Sequence, residues 1–294
     1  MGWLSRVRRL VVTLLASCAV WAGSSSHQAG AHHGRSEEQQ VYVANADDLE
    51  WRSKAIPQGA SWAEVYSRRQ ALVRWPSGAG LPMHVRHGSW HGVVISGDLV
   101  LRVSGHAEAR LGPLSYFFVL QGTRLSAECR SDKPCVYVVF DTQAESIEDV
   151  DTTAATADER PTGATDSRNP GFEMIDLAAA RWRRVPNALG ARRARGQATS
   201  LQARLNVVFP YALERGSSLP PAVDRTDTAA FILSGVLLLR VGKGPEHRLG
   251  PGSFFRIPGG FTFSNSCTDQ RCLILSTDPP ADWEGARYRP MFPS

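Results

Sequence analysis

The sequence predicts an all-β chain of two tandem units, each an antiparallel barrel or sandwich, and a repeat, a strand pattern and two matched cysteine pairs carry that prediction. The repeat is explicit. Val94-Ile95-Ser96-Gly97-Asp98-Leu99-Val100-Leu101-Arg102-Val103 returns as Ile232-Leu233-Ser234-Gly235-Val236-Leu237-Leu238-Leu239-Arg240-Val241. Arg110-Leu111-Gly112-Pro113-Leu114-Ser115-Tyr116-Phe117 returns as Arg248-Leu249-Gly250-Pro251-Gly252-Ser253-Phe254-Phe255. Both matches have an offset of 138, so one structural unit is present twice with no insertion. Two copies cannot make a solenoid, which needs three or more. They read as paired domains, and 294 residues leave room for two.

The first unit is placed at residues 41–142. Its runs of β-formers are Val65–Tyr66, Ala71–Trp75, Gly92–Ser96, Leu99–Ser104, Tyr116–Leu120 and Val136–Phe140, separated by Gly, Pro, Asp and Ser clusters. This is the pattern of an antiparallel barrel or sandwich. Residues 143–171 turn to Asp, Glu, Thr, Ala and Pro, which bury too little to offset their ordering entropy, and form an acidic linker. The second unit takes residues 172–294. Met174-Ile175-Asp176-Leu177 leading to Trp182 echoes Ala46-Asp47-Asp48-Leu49-Glu50-Trp51, so the repeat begins well before its strong match.

Four cysteines fall as one close pair per unit, Cys129 with Cys135 and Cys267 with Cys272, each bracketing a polar turn between strand-like runs. Cross-strand neighbours lie within reach of a disulfide. Matched pairs in an exported chain read as two hairpin disulfides rather than metal ligands, since no histidine lies nearby in sequence. The N-terminus agrees with export. Basic residues up to Arg9 precede the short apolar run Leu10-Val11-Val12-Thr13-Leu14-Leu15, the layout of a signal peptide and too short to span a bilayer. Leu15-Ala16-Ser17-Cys18 resembles a bacterial lipobox. It implies a lipoprotein-type signal over residues 1–18, acylation of Cys18 and anchoring to a lipid bilayer in the periplasm or outer membrane. Cleavage near Ala22 or after Ala31 is the other reading and leaves a secreted product. Residues 19–40 form a flexible tether whose His27, His32 and His33 are read as solvated.

The formal charge is +5, and removal of Arg6, Arg8 and Arg9 with the signal leaves about +2, too little for a general polyanion field. Nucleic acid is excluded as a partner on that ground and by export. The Arg-dense stretch of Arg181, Arg183, Arg184, Arg192, Arg193 and Arg195 fits a phosphate or lipid-headgroup site. A solvated basic face that answers the acidic linker fits it better. No GxSxG, P-loop, HExxH or dinucleotide fingerprint is present.

Pro82-Met83-His84, the stretch to Val93-Val94-Ile95-Ser96-Gly97, and Leu111-Gly112-Pro113-Leu114-Ser115-Tyr116 resemble the cupin superfamily; Leu249-Gly250-Pro251-Gly252-Ser253 and Pro258-Gly259-Gly260 do so in the second copy. The resemblance, to bacterial exported two-domain bicupins, implies two tandem jelly-roll barrels. It also implies a metal held by two histidines and a glutamate of a first motif and one histidine of a second. Counted from the shared turns, those positions fall on His84, Arg86, Trp90 and Leu125 in the first copy. In the second they fall on Ala222, Asp224, Thr228 and Phe263, so the second barrel is degenerate.

Two readings of the first copy stay open. His84, His87 and His91 could together bind one divalent transition metal, Zn, Fe, Mn or Cu, if a turn near Gly88 brings them together. The protein would then be a metal-dependent oxygenase, isomerase or lyase with one site. Alternatively, Arg86 and Trp90 face the cavity and bind an anionic or planar small molecule, with no metal, in a ligand-binding or structural envelope protein. Packing of the barrels on each other or in a homo-oligomer is a third expectation.

Overall fold

The structure is a computed structural model that describes residues 40–53, 58–65, 67–86, 88–140, 171–184, 191–194, 209–218, 222–223 and 227–276. The signal segment with Cys18, residues 19–39 of the tether, the linker up to residue 170, His87 and Asp224 lie outside the described residues. Among the described residues the chain forms strands, one 3-10 turn at Ala46–Asp48 and no α-helix. The expected all-β fold is the one observed.

Each barrel pairs a seven-stranded sheet with a four-stranded one, and the strands pair antiparallel. In the first, the large sheet runs β12 (Phe172–Asp176), β9 (Ser115–Val119), β6 (Trp90–Ser96), β11 (Cys135–Phe140), β4 (Ser67–Trp75), β3 (Ser61–Val65), β2 (Arg52–Ser53). Its small sheet runs β5 (Gly80–Val85), β10 (Arg124–Cys129), β7 (Leu99–Val103), β8 (Ala109–Leu111). In the second, the large sheet runs β1 (Tyr42–Ala44), β20 (Phe254–Ile257), β17 (Thr228–Ser234), β22 (Arg271–Ser276), β15 (Phe209–Glu214), β14 (Ala191–Ala194), β13 (Trp182–Arg184). Its small sheet runs β16 (Ala222–Val223), β21 (Thr262–Cys267), β18 (Leu237–Val241), β19 (Glu246–Leu249).

The two units exchange their first strands. Tyr42–Ala44, counted with the first unit in sequence, pairs with Phe254–Arg256 of the second barrel. Phe172–Asp176, counted with the second, pairs with Ser115–Val119 of the first. The large sheets also face each other. Along β9, β11, β17 and β22, alternate side chains point into their own barrel or into a core shared by both. Phe117, Tyr137, Ile232 and Ile274 point inward, whereas Phe118, Val138, Phe231 and Leu273 meet between the barrels. The Phe140 and Phe231 rings touch across that interface, 5.8 Å apart and edge-on. Leu49 and Leu177, the echoing leucines of the two openings, are both buried in it.

Cys129–Cys135 and Cys267–Cys272 are disulfides, but the expected hairpins are not there: β10 and β21 belong to the small sheets and β11 and β22 to the large ones, so each bond joins the two sheets of its barrel across the turn between them. They account for the repeated Ser-Gly turn. Gly97 and Gly235 have φ of +79° and +77°, a region costly for side chains. A Cβ on Gly97 would lie 2.8 Å from the Cys135 Cα; on Gly235 it would lie 2.4 Å from the Arg271 carbonyl oxygen and 3.0 Å from the Cys272 Cα. Turn and disulfide are therefore one packed unit. Gly235→Ala is expected to lower unfolding free energy by about 2–4 kcal/mol in urea titrations. Gly216→Ala, at φ +70° with open space around it, should cost about 1 kcal/mol. Equal losses at the two glycines would remove the collision with the cysteine strand as the cause.

Candidate functional site

The polar side chains inside the first barrel come from β5 and the loop after it, from β6 and from β11. In β5, Leu81 lies opposite Ala127 and His84 opposite Leu125, so two residues, Pro82 and Met83, face one residue of β10. This bulge changes the parity of the strand and turns both Leu81 and His84 inward. Proline suits the position because it has no N–H to give to a ladder.

His84 is 2% exposed. Its Nδ1 lies 2.8 Å from the Pro82 carbonyl oxygen, which can only accept, so Nδ1 carries the proton. Nε2 is then a bare acceptor, and it is buried without a hydrogen-bond partner. Burial holds the imidazole below its usual pKa; the Pro82 hydrogen bond opposes this and the Arg86 charge adds to it. His84 is therefore neutral at pH 7.

Two residues on, the Arg86 backbone N–H donates to the Thr123 carbonyl (3.3 Å) and its carbonyl accepts from Gly122 (2.8 Å). The side chain is 8% exposed. Its guanidinium sits 5.2 Å from the centre of the Trp90 ring. Its Nε is buried without a hydrogen bond, and no described carboxylate pairs with it. Burial holds its pKa below the usual arginine value, opposed by Tyr137. Arg256 of the second barrel makes the contrast: it too is buried, and it is paired with Asp227, which also accepts the Gly259 N–H.

An aromatic wall completes the interior. Trp90 packs edge-on against Phe117 (4.8 Å) and Tyr137 (6.0 Å), and Tyr137 against Trp75 (5.7 Å). Burial drives the Tyr137 phenol far above its usual pKa, so it remains a neutral O–H. Tyr137 is the interior residue that the sequence reading does not name. The signal for it is parity: if Cys135 turns inward to its disulfide, strand alternation turns Tyr137 inward as well.

Of the three imidazoles, the two that are described, His84 and His91, do not face one point. His91 follows Trp90 on β6 and so points to the opposite face, where its ring meets Phe118 (6.1 Å) and Phe140 (5.7 Å) beside the shared core. His84 faces the barrel interior, and His87 lies outside the described residues. Among the described residues no group of three or more His, Cys, Asp or Glu could hold a metal. The donor set gives the chemical reason. At the four positions of the cupin metal set, the barrel offers one imidazole, one guanidinium, one indole and one leucine. A dication would find one donor beside a fixed positive charge.

Among the described residues the interior of the second barrel holds no buried arginine or histidine; its buried polar side chains are Thr228, Asn265 and Tyr211. Thr228, Phe263 and Ile274, at the places of Trp90, Leu125 and Tyr137, sit in an interior dominated by Leu, Ile and Phe.

Two jelly-roll barrels in one chain, the first with a buried histidine and arginine in its interior, define a tandem-barrel class. Comparison with solved structures identifies the fold as that of the cupins. No protein-family model and no curated protein matches the sequence. The chain is similar to Ylba from E. coli (TM-score 0.53, 11% identity, covering 84% of this chain and 93% of that one). It is also similar to oxalate decarboxylase from Bacillus subtilis (0.53, 13%, 82% and 78%) and to the 7S globulin of Momordica charantia (0.51, 9%, 81% and 84%). At these identities the likeness is one of fold.

The buried neutral imidazole has a pH consequence. In the unfolded chain a histidine takes a proton near pH 6.5, whereas His84 in the fold resists it. Below about pH 6.5 the unfolded state binds more protons, so this group lowers stability as pH falls, by at most ~1.4 kcal/mol per pH unit. His84→Gln should therefore gain on the wild type between pH 7 and pH 5 in urea unfolding. A constant difference between the two proteins across that range would contradict this assignment.

Proposed function

We propose that this is a small-ligand-binding protein with a single site, inside the first barrel, for a small carboxylate that also carries a hydroxyl group. The observation that carries the reading is the unpaired Arg86 guanidinium. Burying a charge without a counter-ion costs several kcal/mol, and the second barrel's Arg256 has its carboxylate. An anionic ligand supplies the missing one at Arg86, with two parallel N–H···O bonds to a carboxylate. The indole of Trp90 and the rings of Phe117 and Tyr137 exclude water around it. The bare Nε2 of His84 accepts a hydrogen bond and gives none, which selects a ligand with a donor beside its carboxylate. Oxalate decarboxylase, named for a small carboxylate, is a structural neighbour and agrees in ligand class. A metal-dependent oxygenase, isomerase or lyase is the weaker reading, because His84 and His91 face different ways.

The two disulfides support an oxidising compartment. With the signal-like N-terminus they support export, and acylation of Cys18 would hold the barrels at the envelope by the tether.

Thermal shift assays of the full mature chain with glycolate and acetate test the site. Glycolate at about 100 times its dissociation constant should stabilise by about 2.7 kcal/mol. It should bind about fivefold more tightly than acetate, the worth of one neutral hydrogen bond. Arg86→Gln should abolish both effects, and His84→Leu should erase the preference while leaving acetate binding. No stabilisation by either acid at about 10 mM, or full stabilisation of Arg86→Gln, would overturn the proposal.

A further inference from the structure

The large sheet of the second barrel carries another cationic site, at the rim of the shared core. Register places Trp182, Arg192, Glu214 and Arg271 on one face of β13, β14, β15 and β22. Arg192 lies opposite Ala212, and Glu214 opposite Arg271. Ala212 and Leu273 on the same face are buried between the barrels. Beyond them the sheet opens into a cleft of about 560 Å³ lined by these four residues with Arg215 and Gln270.

Three guanidinium groups share this cleft with one carboxylate. Glu214 is taken by Arg192, at 2.7 Å. Arg215 turns its Nε to the Thr268 carbonyl (3.2 Å). Arg271 stacks 4.8 Å from the centre of the Trp182 ring and pairs with no described carboxylate. Its pKa is held below the usual arginine value by burial first and by the Arg192 charge second, with Glu214 opposing. Stacking uses the face of a guanidinium and leaves its N–H edge for an oxygen ligand.

The pseudo-symmetric position sharpens the point. Trp51, the counterpart of Trp182 in the first copy, also has an arginine on its face, with Arg74 at 4.0 Å. Its indole N–H is satisfied by the Ala46 carbonyl (3.3 Å). The Trp182 N–H is buried with no hydrogen-bond partner. The second copy therefore gathers donors, charged and neutral, without enough acceptors.

We propose that this cleft binds a small multivalent oxyanion, a phosphate monoester or a di- or tricarboxylate, between Arg192, Arg215 and Arg271. The site is separate from the interior of the first barrel and does not depend on that reading. Of the Arg-dense stretch of the sequence, Arg192 lines this cleft, joined by two arginines from later in the chain.

Isothermal titration of the full mature chain with inorganic phosphate and with citrate at low salt tests the site. Indole fluorescence, recorded in parallel, reports on the Arg271–Trp182 stack. At least one anion should bind. Arg271→Gln should weaken it about tenfold or more, and Arg271→Lys, which keeps the charge but not the fork, by less. The fluorescence change should vanish in Trp182→Phe, while Arg110→Gln, at an exposed arginine elsewhere, leaves affinity unchanged. Binding of phosphate alone assigns a phosphate monoester; binding of citrate alone assigns a polycarboxylate. No binding of either, undiminished binding by Arg271→Gln, or equal weakening by Arg110→Gln overturns the proposal.

Discussion

The packing of the two seven-stranded sheets against each other is the constraint on which the rest of the structure depends. A barrel sheet has an inner face to bury and an outer face that normally meets water. Here the outer faces of both large sheets are buried too, in a core contributed by both barrels. That explains why β9 and β17 are apolar nearly throughout instead of alternating. It also fixes register, since a slip of one residue would exchange every inner side chain for a shared one. The exchange of β1 and β12 adds main-chain pairing to the same interface. Each unit supplies an edge strand that the other needs, which couples the stability of the two barrels. A free edge on either sheet would be an aggregation hazard, and the exchange covers one on each.

What the two copies kept in common belongs to this scaffold. The Ser-Gly turn and the cysteine pair persist together because they touch. The Leu-Gly-Pro turn persists as a tight turn, closed by Ser115 N–H to Gly112 and Ser253 N–H to Gly250, both at 3.0 Å. Its residue after the proline has positive φ in both copies, +83° at Gly252 and +70° at Leu114. A leucine there is strained, costing on the order of 1 kcal/mol. Its side chain packs on the shared core, where the second copy has no room for one: a Cβ on Gly252 would meet the Cβ of Ala46 at 3.0 Å.

The scaffold was largely legible in the sequence because its signals are local. Runs of β-formers mark β4, β6, β7, β9 and β11. The strands missed are those whose residues argue against a strand. Gly80 and Pro82 disguise β5, and the mixed sequence of β10 shows no clean alternation. The exchange of β1 and β12 is invisible because short strands that pair some two hundred residues away, or with the other unit, leave no local mark. The site was legible in part for the same reason. His84, Arg86 and Trp90 stand out against the apolar runs, but which of them converge depends on parity. The bulge at Pro82–Met83 shifts that parity by one, turning His84 inward on the same side as Leu81, while Trp90 and His91 part to opposite faces of β6. Tyr137, a hydroxyl inside an apolar run, carries no local mark that sets it apart from its neighbours.

Duplication also explains how an uncompensated charge can persist. A lone barrel of this size has little stability to spare, and a buried guanidinium without a partner takes a large share of it. Two barrels joined through a third core, with a disulfide in each, can carry that cost in one of them. The second barrel shows the alternative outcome from the same ancestral geometry. Its described interior is mostly Leu, Ile and Phe with neutral Thr228, Asn265 and Tyr211, and its buried arginine, Arg256, lies on the other face of the sheet with Asp227 beside it. The first barrel could have closed in the same way by replacing Arg86 and His84 with apolar residues, which often stabilises. It holds instead, among the described residues, a cation without an anion and an acceptor without a donor. Those two deficits are the reason for the proposed ligand, a small acid bearing a hydroxyl, which would answer both at once.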